Sequence, residues 1–370
     1  MNRLRLWVVF SVSVFFLCTS FPAQASRTIT DAAGRSVTLP DKVERVVCSG
    51  PGSLRLLTYL QAQDRVVAVD DAETKERDLD ARPYALANPQ FQSLPVFGSF
   101  RGQDNPERLL SLSPGPQVIF KTYPNMGYDP QELQDKTGIP VVVLHYGDLG
   151  PHRETLFSSL QIMGKVLDTE QRAQAVIDFF ATTIRDLEQR SSSLSQKEQV
   201  TAYVGGVAFK GPHGFQSTEL DYPPFQFVHV RNIVSRNTPD DAQLQHAEIA
   251  KEKLLQWDPH WCFVDLSTLR LGGMGGAIHQ LRHDPTYQAL SAVRANRVYG
   301  LLPYNWYTKN FGSVLANAYA IGKIVYPDRF RDIDPAQKAD SIFTFLVQEP
   351  VFAKLNGLFD NQVFTKLDFD

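Results

Sequence analysis

Lys121, Thr122 and Tyr123 close one apolar run, and His145 and Tyr146 close the next. The same placing recurs along the chain: Ser49 and Gly50, Asp70 and Asp71, and Ser99, Phe100 and Arg101 each follow a short run of apolar residues. Further on come Gly206 with Phe209 and Lys210, then Asp265, then Tyr304, Asn305, Trp306 and Tyr307. Polar and aromatic groups just past the carboxyl ends of strands are where open α/β sheets bind ligands. Tyr222 and Phe225 lie in ELDYPPFQF, which is too apolar for an idle solvent loop. Taken singly, the aromatics of the second half could also be core residues. As a set facing one cleft, they call for a large, flat, partly apolar ligand rather than a bare ion. Catalytic motifs are missing: there is no G-x-S-x-G, H-E-x-x-H, C-x-x-C or phosphate-binding G-x-x-x-x-G-K-[ST]. No catalytic residue is therefore assigned. The glycine-rich stretch at 272–276 lacks the Lys and hydroxyl of a phosphate loop and reads as a loop before a helix. His279 and His283 could share a helical face as metal ligands, but no third ligand is near in sequence, so they read as helix surface.

The elements that must position these groups alternate. Strands are expected at 45–48, 66–69, 95–97, 117–120 and 141–144, with helical patterns at 53–61, 107–112 and 130–136 between them. After a polar break, SSSLSQKEQ, strands resume at 201–204, 227–230, 262–265 and 298–301. Near-continuous apolar strands alternating with helices imply mostly parallel sheets covered on both faces. Between the two groups, Ala173, Val176, Ile177, Phe180, Ile184 and Leu187 form one helical stripe with no Gly or Pro inside. Asp168 with Gln171 is expected to cap that helix, and a shorter run at 155–167 leads into it. The expected fold is α/β, two lobes joined by one long backbone helix. The chain divides into lobes at 26–150 and 191–334, linking helices at 151–190 and a helical tail at 335–370 that packs on a lobe. Residues 28–40 should form a small hairpin.

The N-terminus has the three parts of a secretory signal peptide. Arg3 and Arg5 precede an apolar run at 6–18, and Ala23-Gln24-Ala25 offers a cleavage site before Ser26. Removal of residues 1–25 leaves 370 − 25 = 345 residues. The apolar run is short for a membrane span. Cys18 would permit a lipid anchor, but Leu17 before it is not the small residue that such processing wants. Cys48 and Cys262 fall in strands of different lobes and are expected as buried free thiols. A net charge of −3 with no basic stripe argues against nucleic acid as a partner.

Two segments echo each other. PERLLSLSPGPQVIF at 106–120 and AKEKLLQWDPHWCFV at 250–264 both open a short helix with a Glu, then run through a Pro turn into a strand. With the lead-in RTITDAAGRSVTLPDKVERVV, the strand DRVVAVD, and the late segments VRANRVYGLLP and ANAYAIGKIVYPDRF, they make the chain resemble the substrate-binding proteins of iron-complex ABC importers. That helical-backbone family includes ferric-siderophore, haem and cobalamin binders, and the resemblance covers nearly the whole chain after residue 25. It implies capture of a small-molecule metal complex between the lobes and delivery to an ABC permease in the inner membrane. By the same resemblance, Glu107 and Glu252 would dock on the permease, as a clamp with one carboxylate per lobe. Many members carry a Glu in the helix after the first strand, where this chain has Arg55, so that role does not transfer.

A monomeric periplasmic binding protein for a ferric siderophore or haem is the expectation, with no cofactor of its own. Its cleft would be lined by Tyr123, His145, Tyr146, Phe209, Lys210, Tyr222, Phe225, Trp306 and Tyr307. Aromatics would pack on the ligand's faces, and Arg101, Lys121 and Lys210 would meet its anionic groups. A tyrosinate or His145 would reach haem iron. Direct binding of bare Zn or Mn is disfavoured, because His145 is the one His at a first-lobe strand end. The alternatives are a corrinoid such as cobalamin, a molybdate-like oxyanion or, from another class, an extracytoplasmic enzyme acting on a metal chelate.

Overall fold

The computed structural model describes residues 26–195, 197–234 and 246–369, so the signal segment, with its cleavage site and Cys18, lies outside the described residues. A small antiparallel hairpin comes first, β1 (Ser26–Thr30) with β2 (Ser36–Pro40), as the lead-in implied. Six strands then form the first sheet: β3 (Val46–Ser49), β4 (Val66–Asp70), β5 (Val96–Ser99), β6 (Gln103–Asp104), β7 (Val118–Thr122) and β8 (Val141–Leu144). Their order is β6-β5-β4-β3-β7-β8, parallel except for the short edge strand β6. A second sheet is built from β9 (Thr201–Gly205), β11 (Arg231–Asn232), β13 (Trp261–Asp265) and β14 (Val298–Leu301), in the order β11-β9-β13-β14 and parallel throughout. Between these in sequence, β10 (Ser217–Glu219) and β12 (His246–Glu248) pair as a separate antiparallel ribbon. Strands β3, β7 and β8 are buried along their whole length, and β13 from Cys262 on, so they read as unbroken apolar runs rather than as alternation.

Two helices link the sheets, Arg153–Leu167 and then Glu170–Ser191. The 22-residue second helix is about 33 Å long at 1.5 Å per residue. Its apolar stripe is buried as expected, together with Thr183 and Ser191. Phe180 on this stripe meets Tyr59 of the first lobe edge-on at 6.1 Å and Phe311 at 6.0 Å. One apolar cluster therefore runs from Val46 and Phe120 through Phe180 to Val204 and Phe263. This architecture is the expected α/β fold with a helical backbone.

Three local expectations are corrected. Asp168 does not cap the long strut helix, Glu170–Ser191. It ends the preceding helix with a left-handed backbone (φ 54°), and its carboxylate accepts from Arg27 at 2.5 Å. The reason is the tight join: Gly164 lies so close to the strut that a Cβ there would come within 2.8 Å of the Ala173 Cβ. Residues 227–230 are not a strand. Pro223 and Pro224 start a helix, Pro223–Phe227, and pairing waits until Arg231. Several strands also run further than expected, β4 to Asp70, β5 to Ser99 and β7 to Thr122: parallel neighbours continue the ladder for β4 and β7, and the antiparallel strand β6 pairs with Ser99 of β5. Cys48 and Cys262 are buried free thiols. In the tail, helix Pro335–Val347 packs on helices Phe311–Val325 and Ser53–Tyr59.

Candidate ligand-binding cleft

The carboxyl ends of the parallel strands in both sheets open onto two connected chambers of about 680 and 640 Å3. Tyr123, Met126, Ala208, Phe209, Asn305 and Thr308 border both. The lining comes from the loops after β4, β5, β7 and β8 on one side and after β9, β13 and β14 on the other. Several of these loops turn through left-handed backbone at residues other than glycine: Arg101, Tyr123, Lys210, Tyr307 and Thr308 all have φ between 51° and 63°. Such positions cost free energy and persist where the surroundings fix them, which is common at binding sites.

The first chamber holds His145, His152, His246, Asp148, Glu219 and Lys309. Ser159 pins the backbone of His145 from both sides, accepting from its N–H at 3.0 Å and donating to its carbonyl at 2.7 Å. His246 stacks on Phe209 at 4.5 Å and meets the Ser217 hydroxyl at 2.7 Å. Lys309 reaches the buried Glu219 at 3.1 Å.

The second chamber is cationic. Arg77, Arg101, Lys210 and Arg270 line it, and among the described residues none of the four makes an ion pair with a carboxylate. Aromatic faces hold three of them instead: Arg101 lies over Phe100 at 5.0 Å, Lys210 over Phe209 at 5.2 Å and Arg270 over Trp306 at 4.8 Å. A ring face orients a cation without neutralising it, so the positive potential stays available to a ligand. The Nε of Arg77 is buried with no partner.

Tyr123, His145, Phe209, Arg101, Lys210, Trp306 and Tyr307 are thus brought together at the cleft. Tyr146 borders the first chamber but is 4 % exposed, and its phenol bonds the Lys309 carbonyl at 2.7 Å. Burial pushes that phenol far above the ordinary tyrosine range, so Tyr146 is no source of tyrosinate. Lys121, Tyr222 and Phe225 do not line the cleft. Lys121 is fully buried beneath it, paired with Asp104. Tyr222 and Phe225 stack edge-on at 4.9 Å inside the core, where the proline-started helix turns them. Arg77 and Arg270 went unread because they lie several residues beyond their strand ends, and His246 because its strand is short and isolated.

Beside the second chamber, Tyr307 donates its phenol to Asp70, whose other oxygen caps Ala72 N–H at 2.9 Å. Burial, helped by Glu73, raises the Asp70 carboxyl from 3.8 to about 7. A raised folded-state value favours the folded protein below about pH 4, and that advantage is lost as pH rises through about 7. Asp70→Asn removes the charge: its amide oxygen can still accept from Ala72 N–H, and its NH2 would donate to the Tyr307 phenol oxygen, the reverse of the native bond. Its stability relative to wild type should therefore climb between pH 4 and 8, read by urea unfolding at several pH values. A pH-independent difference would refute this.

Residues 46–304, well over half of the chain, match the family described as periplasmic binding protein. The chain belongs to the periplasmic binding protein family. It is a solute-binding protein and not an enzyme, which removes the chelate-enzyme alternative. This binding protein is 23 % identical over 339 residues to the molybdate-binding protein MolA of Haemophilus influenzae, covering 85 % of this chain and 89 % of MolA. The structure of MolA bound to molybdate matches with a TM-score of 0.65, over 87 % of this chain and 98 % of MolA, at 19 % identity. A periplasmic solute binding protein of Veillonella parvula matches with a TM-score of 0.69 at 16 % identity, over 92 % of this chain and 98 % of that one. The periplasmic haem-binding protein HutB of Vibrio cholerae matches with a TM-score of 0.55 at 20 % identity, over 76 % of this chain and 99 % of HutB. At these identities the likeness is one of fold.

Glu107 and Glu252 stand in the first turns of helices Pro106–Ser111 and Lys251–Trp257, both exposed. One turn on, Leu110 and Leu255 are exposed as well, at 59 and 38 %.

Proposed function

We propose that this binding protein captures an anionic organic metal complex, a ferric siderophore or haem, in the cleft. As the periplasmic binding protein of an ABC transporter, it hands that complex to its permease. The reading rests on the second chamber, where four cations without carboxylate partners stand among Phe100, Phe209, Trp306 and Tyr307. Each chamber falls in the range of about 300–1,000 Å3 typical of organic ligands. Among the described residues there is no group of three or more His, Cys, Asp or Glu fit to hold a bare metal ion. Aromatic faces would cover the ligand's flat surfaces, and Arg77, Arg101, Lys210 and Arg270 would take its acidic groups. For haem, His145 remains the nearest candidate to meet iron, with His152 and His246 in the same chamber.

In this reading the chain is exported with residues 1–25 removed, acts as a monomer, and uses residues 26–150 and 191–334 as its two lobes. Glu107 and Glu252 dock on the permease. Reversing both to Lys is expected to abolish uptake and leave ligand affinity unchanged. An equal fall in affinity would place them in the fold instead.

A second reading, an oxyanion such as molybdate, is favoured by the likeness to MolA and uses the same cations. Titrating the protein from Ser26 onward with haemin, a ferric catecholate, ferric citrate, cobalamin and molybdate, followed by tryptophan fluorescence and calorimetry, separates them. Saturable binding of an anionic iron complex is expected. Binding of molybdate alone would replace the first reading with the second, and binding of cobalamin alone would sink both.

A further inference from the structure

Arg55 is buried completely, yet among the described residues no carboxylate pairs with it. It stands on helix Ser53–Tyr59 of the first lobe. Its guanidinium instead reaches across to the other lobe's chain. One terminal nitrogen donates to the Lys309 carbonyl at 2.9 Å and to the Tyr146 phenol oxygen at 2.5 Å. The other donates to the carbonyls of Trp306 at 3.0 Å and Tyr307 at 3.2 Å. Tyr84 and Tyr146 present ring faces to it at 5.0 and 5.9 Å. Three of its acceptors belong to one turn, residues 305–309, which follows β14 and closes with a bridge between Asn305 and Lys309. That turn holds two consecutive left-handed residues, Tyr307 (φ 52°) and Thr308 (φ 63°), neither of them Gly. All five of its residues line the chambers.

We propose that Arg55 is the positioning residue of the ligand cleft, a buried clamp that holds the 305–309 turn of one lobe against the other lobe. The chemistry fits Arg rather than Lys. A planar fork can serve several divergent carbonyls at once, whereas an ammonium on a flexible stem is a single point. Other cross-lobe bonds support the same turn: Tyr123 to Thr308 at 2.7 Å, and Tyr307 to Asp70. Gly52 leaves the room the clamp needs, since a Cβ there would stand 2.1 Å from the Tyr146 ring and 2.7 Å from Thr308 Cγ2. With its carbonyls released, the turn has little reason to keep two left-handed residues, and Trp306 and Tyr307 would leave their places over the second chamber.

The inference rests on the cleft being the ligand site, though not on which ligand fills it. Its test is made on the protein from Ser26 onward with Trp257→Phe and Trp261→Phe, which leaves Trp306 as the one tryptophan. In that background Arg55→Lys and Arg55→Met are each expected to raise acrylamide quenching of Trp306 at least two-fold and to shift its emission to the red, with far-UV circular dichroism unchanged. Affinity for haemin and for molybdate, whichever binds, should fall ten-fold or more. Tyr146→Phe removes one acceptor of Arg55 together with the phenol's own bond to the Lys309 carbonyl, keeps the ring, and should give a smaller rise, so the clamp remains measurable if the Arg55 variants do not fold. Unchanged Trp306 quenching in the folded variants overturns the clamp, and so does full recovery by Lys of what Met loses. A Trp306 response in a protein that binds no probe sinks the ligand reading and leaves the clamp standing.

Discussion

Lys121→Met is expected to lower the unfolding free energy by about 3–5 kcal/mol, the usual effect of breaking a buried ion pair from one side. The Lys121 ammonium is 0 % exposed and spends its three protons on Asp104 at 2.6 Å, Ser49 Oγ at 3.2 Å and the Gly102 carbonyl at 3.2 Å. It ties β7 to β3 and to the edge strand β6, just below Tyr123 and the cleft. Asp104 is equally buried, and its second oxygen already has no partner. Met in place of Lys fills the space but leaves that carboxylate charged, dry and alone. Pairing the change with Asp104→Leu removes both charges and should recover most of the loss, since a buried pair as a whole is worth little against well-packed apolar residues. Urea midpoints at constant slope give the measurement. A single variant as stable as wild type would show that the pair is not formed in solution. Ligand affinity of the folded single variant should stay within a few-fold of wild type, because Lys121 is a strut under the site.

The opposite signature is expected of Arg101→Met with Arg270→Met. Both guanidiniums are exposed over ring faces, and such cation–aromatic contacts contribute only about 0.5–1 kcal/mol at exposed sites. Thermal and urea stability should hardly change. Affinity for an anionic iron complex should fall about 100-fold or more, because each charge-assisted hydrogen bond to the ligand contributes about 1.5–3 kcal/mol and each 1.4 kcal/mol is ten-fold. The loss should shrink with added salt, since part of it is long-range attraction. Calorimetric titration of wild type and the double variant at two salt concentrations decides it. Equal affinities would move the acidic groups of the ligand out of the second chamber. Lys121 and the Arg pair thus separate cations that build the protein from cations that serve it, although in the sequence all of them follow strands.

Periodicity made the fold legible. Continuous apolar runs of strand length and one long amphipathic stripe leave few arrangements other than two covered parallel sheets and a helix joining them. The ends of the strands were legible too, since each run stops where polar residues begin, and eight of the eleven expected cleft residues border the chambers: Arg101, Tyr123, His145, Phe209, Lys210 and Tyr307 from the loops, and Tyr146 and Trp306 from the buried core. Direction was not legible. Lys121 and Tyr123 are two residues apart, yet strand β7 ends between them, so one is locked beneath the sheet end while the other turns out through a left-handed backbone (φ 51°). Tyr222 and Phe225 sit in a loop-like sequence, and two prolines fold them into the core. Arg55 looked like a lost carboxylate, and only the approach of a turn some 250 positions later gives its charge a purpose. A sequence on its own determines which groups stand at strand ends, because that follows from local hydrophobic pattern. Which of them face a ligand, which face each other and which are buried as struts depends on contacts between distant segments, and those exist only in the folded chain.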